Sequence, residues 1–90
     1  MVYYYKTKSG REVDFILQTP TREKMLVQVC ESLAIEKTRK REIVALQEAM
    51  SELNLKSGII VTRNEEERLI IEDNTIRIMP IWRFLIEDFF

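Results

Sequence analysis

Apolar and polar residues alternate with a period of two through much of the first thirty residues, and this pattern predicts β-strands. Residues 2–7 and 12–18 are predicted to form a hairpin around a turn at residues 8–11. Residues 24–30 are predicted to form a third strand, which follows a loop that contains Pro20. Three consecutive short strands of this kind predict a β-meander.

Alternation along the second predicted strand assigns its side chains to two faces of the sheet. The first face carries Glu12, Asp14 and Ile16, and the second carries Val13, Phe15 and Leu17. The two carboxylates therefore share a face. On the third strand, the same rule puts Gln28 and Cys30 on one face.

Helical spacing replaces the alternation in the middle of the chain. The apolar positions at this spacing are Ile43, Leu46, Met50 and Leu53. They predict a helix that has Thr38 as its N-cap and ends near Asn54. The continuous apolar run at residues 58–62 then predicts a strand that is covered on both faces.

The last third of the chain predicts two short strands and a second helix. Residues 68–71 and 75–79 are the strands, around a turn at Asp73 and Asn74, and Pro80 suits the first turn of the helix. The apolar stripe of this helix is Ile81, Phe84, Leu85 and Phe89. The predicted order is βββ-α-β-β-β-α, which indicates one α/β domain with a mixed sheet formed by all 90 residues.

Composition excludes several classes of function. The chain has no histidine, which excludes Ser-His-Asp and Cys-His catalysis and every imidazole-metal site. Cys30 is the only cysteine, so no disulfide can form within the chain, and a cytoplasmic location is expected. No apolar run approaches the roughly 18 residues of a membrane span, and no membrane partner is expected. The net charge of −1 gives no global attraction to nucleic acid.

Five segments of the chain carry a resemblance to a known family. They are Gly10-Arg11-Glu12-Val13-Asp14-Phe15, residues 26–32, Thr38-Arg39-Lys40-Arg41-Glu42-Ile43, Gly58-Ile59-Ile60-Val61-Thr62 and Ile78-Met79-Pro80-Ile81-Trp82. In this order they resemble the PD-(D/E)XK nuclease superfamily. More closely, they resemble the C-terminal nuclease-like domain that follows the P-loop module of predicted AAA+-class ATPases. The resemblance covers nearly the whole chain and implies a restriction-endonuclease-like fold, here without the first helix that usually precedes strand one.

The resemblance also implies a site. In active members, an acid on strand two and an (Asp/Glu)-x-Lys on strand three hold divalent cations over the scissile phosphate. Asp14 matches the strand-two acid, Gln28 stands at the strand-three acid, and Cys30 stands at the lysine. A glutamine amide is a weaker ligand than a carboxylate, and a thiol cannot replace an ammonium group. We therefore expect a degraded nuclease site, with no cofactor or with Mg²⁺ or Mn²⁺ weakly bound by Asp14 and Glu12.

A basic cluster lies at the start of the first predicted helix. Its members are Lys37, Arg39, Lys40 and Arg41. Backbone N–H groups and cations at a helix N-terminus suit phosphate, so one interpretation is contact with nucleic acid. The other is a solvated first turn paired with Glu36 and Glu42, and the absence of a surplus of positive charge favours it.

Two functions follow from these features. The first is a non-catalytic binding or assembly module, accessory to an ATPase and able to contact nucleic acid through residues 37–41. The alternative is a metal-dependent DNA nuclease that uses Asp14 and Glu12. The missing first helix and the apolar pair Phe89-Phe90 further predict an uncovered apolar surface. A homo-oligomer or an ATPase module would cover such a surface.

Overall fold

A computed structural model describes residues 2–18 and 24–89. These residues form eight elements in the predicted order. The elements are β1 (Val2–Lys6), β2 (Glu12–Gln18), β3 (Lys24–Val29), α1 (Glu36–Leu53), β4 (Ser57–Thr62), β5 (Glu67–Ile71), β6 (Asn74–Pro80) and α2 (Ile81–Phe89). The predicted loop around Pro20, the side chain of Phe89 and the whole of Phe90 lie outside what the structure describes.

The six strands form one mixed sheet in the spatial order β1-β2-β3-β4-β6-β5. The first three strands are an antiparallel meander, as predicted. β4 pairs in parallel with β3 and with β6, and β5 pairs antiparallel with β6. Because parallel neighbours need a crossover connection, α1 carries the chain from β3 back to the start of β4. The predicted mixed α/β architecture is confirmed.

α1 covers one face of the sheet with a continuous buried core. The members of this core include Leu26, Leu46, Ala49, Met50, Ile60, Ile76 and Ile78. Gly58 of β4 lies directly under the helix. A Cβ atom at this position would come within 3.0 Å of Leu46 Cδ2 and 3.1 Å of Met50 Sδ. The close approach of helix and strand therefore favours glycine here.

α2 covers only part of the opposite face. Phe84 is buried there in a smaller core with Val27, Ile59, Val61 and Met79. The helix packs on β4 and β6. The half of this face that belongs to β2 and β3 is left partly exposed.

β2 departs from the predicted alternation because it contains a bulge. Tyr3 of β1 pairs with Ile16, whereas Tyr5 pairs with Val13, so β2 has one residue more than β1 across this span. Val13 and Ile16 consequently both join the core under α1. Phe15 lies on the other face, beside α2. The prediction that Val13 shares a face with Phe15 is wrong.

α1 begins earlier than predicted. Its first residue is Glu36, so Thr38 lies inside the first turn and is not the N-cap. The N-cap is Ile35, which has extended backbone and makes no side-chain capping hydrogen bond. The predicted end is confirmed, because Asn54 takes the left-handed conformation that terminates many helices. Neither of the helices in the described part of the chain is long and apolar enough to cross a membrane.

The β5–β6 connection lies one residue earlier than predicted. Glu72 and Asp73 form the turn, because Ile71 and Asn74 already pair across it. Pro80 is the last residue of β6 and precedes α2, so it does not belong to the first helical turn. Both differences are shifts of one residue at element ends, which local patterns define least sharply.

Candidate functional site

The residues that match the nuclease motif meet where β2 and β3 separate. The backbone ladder between these strands ends at the pair Phe15–Val27. Next to this pair, side chains take over the hydrogen bonding. The backbone N–H of Asp14 donates to Gln28 Oε1 at 3.0 Å, and Asp14 Oδ2 accepts the N–H of Val29 at 2.8 Å. The bulge in β2 thus opens a gap that two polar side chains fill.

Gln28 uses both ends of its amide group. Its side chain is buried, and its Nε2 donates to Glu42 Oε2 of α1 at 2.5 Å and to the backbone carbonyl of Glu12 at 3.4 Å. A carboxylate at position 28 would place a second negative charge against Glu42. The contact with Glu42 therefore favours an amide over a carboxylate at position 28.

Glu12 and Asp14 each have a partner within the protein. The phenol of Tyr4 donates to Glu12, and this hydrogen bond is the main reason that the pKa of Tyr4 rises to about 12. The charge of Asp14 contributes to the same rise, which shows that the two carboxylates act on one region of the sheet. Asp14 is bound to the N–H of Val29. Each carboxylate of the predicted pair thus has a hydrogen-bond partner within the protein.

Cys30 lies against the core under α1. Its thiol donates to the backbone carbonyl of Ser32 at 3.2 Å. Burial raises the pKa of the Cys30 thiol, so the group is neutral at neutral pH. A neutral thiol cannot supply the positive charge that the nuclease motif places at this position.

The polar residues border a depression of about 390 Å³ between the edge of the sheet and α1. Its polar lining includes Glu12, Asp14, Gln28, Arg41 and Glu42. Within residues 2–18 and 24–89, no three Cys, Asp or Glu side chains are placed so that they could hold a metal ion. Mg²⁺ prefers octahedral oxygen coordination with carboxylates free to bind it. The residues present do not fit the Mg²⁺ site that the resemblance implies.

The predicted basic cluster divides into two parts. Lys37, Lys40 and Arg41 line a second depression, of about 300 Å³, together with Arg11 from the β1–β2 turn. Arg39 points away from them and binds Glu67 of β5, with 2.8 Å between Nη2 and Oε1. The predicted pairing with Glu42 is a long contact of 3.8 Å from Arg41. Four cations thus share one surface, which we call the basic surface: Arg11, Lys37, Lys40 and Arg41.

Two glutamates of α1 that sequence reasoning did not single out hold the β1–β2 hairpin. Glu52 Oε1 accepts the hydroxyl of Tyr5 at 2.6 Å. Glu48 accepts the hydroxyl of Ser9 and lies 2.5 Å from Arg11 Nη1. The hydrogen bond from Ser9 is the largest cause of the lowered pKa of Glu48. Their spacing of four residues, which puts them on one side of a helix, is the signal in the sequence that could have found them.

An apolar groove of about 230 Å³ runs between α2 and the open half of the sheet. Every residue that lines it is apolar: Phe15, Leu17, Val27, Val29, Val61, Ile81, Phe84 and Leu85. Phe15 and Val29 on the sheet side are 38% and 48% exposed, and Ile81 and Leu85 on the helix side are 43% and 41% exposed. The groove therefore exposes apolar surface on both of its sides.

The fold and these surfaces define a small mixed α/β domain with a polar cluster at a strand separation and an apolar groove on the opposite face. The chain belongs to the family described as a domain of unknown function (DUF4143), whose model matches residues 1–84. No curated protein and no solved structure shows significant similarity to the chain. The description of the family names no activity, so function must be argued from the site itself.

Proposed function

We propose that this domain is a non-catalytic binding and assembly module with a restriction-endonuclease-like fold and a degraded PD-(D/E)XK site. One observation carries the proposal: Gln28, at the position of the strand-three acid, uses its whole amide to connect β2 with α1. Asp14, at the position of the strand-two acid, closes the same gap through Val29. Each oxygen atom that accepts a backbone N–H has fewer lone pairs left for a metal ion. Residues at the catalytic positions thus stabilise the sheet.

The binding role draws support from the apolar groove. A groove of this kind exposes hydrocarbon that water solvates poorly, and such surfaces are typical of protein interaction sites. The groove and the polar cluster lie on different faces of the sheet. A polar cluster without catalytic activity is therefore compatible with binding of a partner at the apolar groove.

The proposal includes an ATPase as the protein that this module assists. Its support is the resemblance of the five segments to domains that follow a P-loop module. Contact with nucleic acid is proposed for the basic surface, since Lys37, Lys40 and Arg41 join Arg11 around one depression. Arg11 already forms an ion pair with Glu48, so the phosphate contacts are proposed mainly for Lys37, Lys40 and Arg41.

Titration with Mn²⁺ and a DNA cleavage assay test the proposal. The Asp14→Asn variant removes the charge and keeps an oxygen that can accept the Val29 N–H, and Asp73→Asn removes an exposed charge from the β5–β6 turn as the control. We expect no Mn²⁺ binding that depends on Asp14, and no cleavage of single-stranded, duplex or branched DNA. DNA binding without cleavage, measured on the same samples, is expected to weaken as salt is added.

The opposite result has a specific form. Mn²⁺ binding and DNA cleavage that are both lost in Asp14→Asn and kept in Asp73→Asn would overturn the proposal. The domain would then be a metal-dependent nuclease that uses Asp14 and Glu12.

A further inference from the structure

We infer that a second copy of this chain covers the apolar groove, with the exposed stripe of each α2 seated in the groove of the other copy. The inference rests on the proposed function, because it names the partner of the binding module. Three observations carry it: the apolar sector of α2, the width of the open half-sheet, and the area that the two surfaces expose.

The first observation is the arrangement of side chains around α2. Successive residues of an α-helix are rotated by about 100°, so Ile81, Leu85, Trp82 and Ile86 form one continuous apolar sector. Ile81 and Leu85 line the groove at one edge of this sector. Trp82 and Ile86, at its other edge, are 57% and 60% exposed. The sector therefore continues from the groove out to the solvent.

The other flank of α2 is polar and already occupied. Arg83 forms ion pairs with Glu66 and with Glu87, and Glu87 also binds Arg77 of β6. This flank faces the β5–β6 side of the sheet, whereas Ile81 and Leu85 of the apolar sector line the groove beside β2 and β3. The polar side of α2 therefore has its ion-pair partners within the chain, whereas the apolar side is exposed to solvent.

The second observation is the shape of the groove. Neighbouring strands are about 4.8 Å apart, and packed helices lie about 8–10 Å apart, so β2 and β3 together offer room for one helix beside α2. A two-fold axis between two α2 helices would place the apolar sector of each on β2 and β3 of the other. Such an isologous contact would bury the apolar groove and the apolar sector of α2 in both copies, because the α2 helix of each copy would cover β2 and β3 of the other.

The third observation is the exposed area. Six large apolar side chains of the groove and the stripe are 38% to 60% exposed: Phe15, Val29, Ile81, Trp82, Leu85 and Ile86. At roughly 200 Å² for a large side chain, they expose about 600 Å² per copy. A specific interface buries about 800 Å² per partner, and weak ones bury about 600 Å² or less. The apolar surface therefore reaches the area of a weak dimer interface, and none of these side chains brings a charge to its centre.

Sedimentation velocity from micromolar to submillimolar concentration tests the inference. The variants Ile86→Glu and Val29→Glu place a carboxylate on the stripe and on the sheet wall, and Ile35→Glu is the matched control. Ile35 is an isoleucine with 67% exposure, at the N-cap of α1 and outside the groove. We expect the natural chain and Ile35→Glu to dimerise, and both groove variants to dimerise at least roughly tenfold more weakly. Far-UV circular dichroism of each variant checks that the fold is intact.

Fluorescence gives an independent measurement. Trp82 is the only tryptophan and lies on the stripe, so its emission reports on this surface alone. The emission maximum is expected to move to shorter wavelength as the concentration of the natural chain rises. The same shift is expected in Ile35→Glu, and a constant maximum in Ile86→Glu.

Three results would overturn the inference. The first is a natural chain that stays monomeric with constant emission over the whole range. The second is a dimer that survives both groove substitutions, and the third is a dimer that Val29→Glu leaves intact although Ile86→Glu dissociates it, because the stripe would then not reach the sheet. A monomer without Asp14-dependent cleavage would remove only the choice of partner. Asp14-dependent cleavage would remove the proposed function whatever the oligomeric state.

Discussion

The two faces of the sheet are covered by helices that differ in length and in how many side chains they bury. α1 has 18 residues and buries four of its side chains completely against the strands. α2 has nine residues, buries Phe84 and leaves most of its other apolar side chains partly exposed. The same strands thus have one face closed by the chain itself and one face closed in part. We infer that the α1 face provides most of the stability of the domain, whereas the α2 face keeps exposed apolar surface.

The largest expected effect compares two leucines, one on each helix. Leu46→Ala opens a cavity in a core where the side chain is fully buried, and should lower the free energy of unfolding by about 3 kcal/mol. Leu85→Ala, at a position 41% exposed, should lower it by about 1 kcal/mol or less. Urea unfolding at low protein concentration measures both. Equal losses would show that the two faces contribute alike, and would contradict the comparison.

A smaller effect is expected at the edge of the α1 face, where Gln28 bridges a strand and the helix. Gln28→Ala leaves the Asp14 N–H and the Glu42 carboxylate without this partner, and should destabilise the domain by about 2 kcal/mol. Gln47→Ala on α1 is the control and should change stability by less than about 0.5 kcal/mol. If the two variants unfold at the same urea concentration, the amide is not a structural link and the proposal of a degraded site loses its main support.

The smallest expected effect depends on pH and concerns the hairpin that Glu48 holds. Because the pKa of Glu48 is lowered by its hydrogen bonds, first of all the bond from Ser9, folding favours its ionised form. That contribution is complete above the ordinary value of 4.5 and is lost as the pH falls through the folded pKa. Glu48→Gln should therefore be slightly less stable than the natural chain at neutral pH.

The difference between Glu48→Gln and the natural chain should shrink as the pH falls below 4.5. Thermal melts across this pH range measure it. A difference that stays constant at every pH would mean that the charge of Glu48 has no part in holding the hairpin. Glu52, which accepts hydrogen bonds from Tyr5 and from the Lys8 N–H, would then be the residue of α1 whose carboxylate holds the hairpin.

Periodicity in the sequence was enough to predict the order of the strands and helices, because apolar residues recur every two residues in a strand and every three to four residues in a helix. The bulge in β2 could not be found in this way. It is defined by pairing with β1, and the local pattern of Val13 and Ile16 is compatible with an unbroken strand. A bulge shifts facing by one residue, so Val13 lies on the face opposite to Phe15 and the facing predicted for Val13 was wrong.

The candidate site was predicted in part for a similar reason. Asp14 and Gln28 were identified by resemblance, but the partner that explains Gln28 is Glu42, on another element. Such a contact appears only when the chain is folded. The separation of Arg39 from Lys40 is different, because the rotation of about 100° per helical residue already places these neighbours in different directions. That prediction was within reach of the sequence.

The crossover through α1 also has a consequence for the order in which the domain folds. β4 lies at the middle of the sheet between parallel neighbours, yet it can join β3 only after the whole of α1 has been placed. The β1–β3 meander and the β5–β6 hairpin close through short connections, so they are expected to form sooner. Until β4 arrives, β3 and β6 each have an unpaired edge, at which another chain could add a strand. Misassembly is therefore expected at the edges of β3 and β6, which β4 covers in the finished domain.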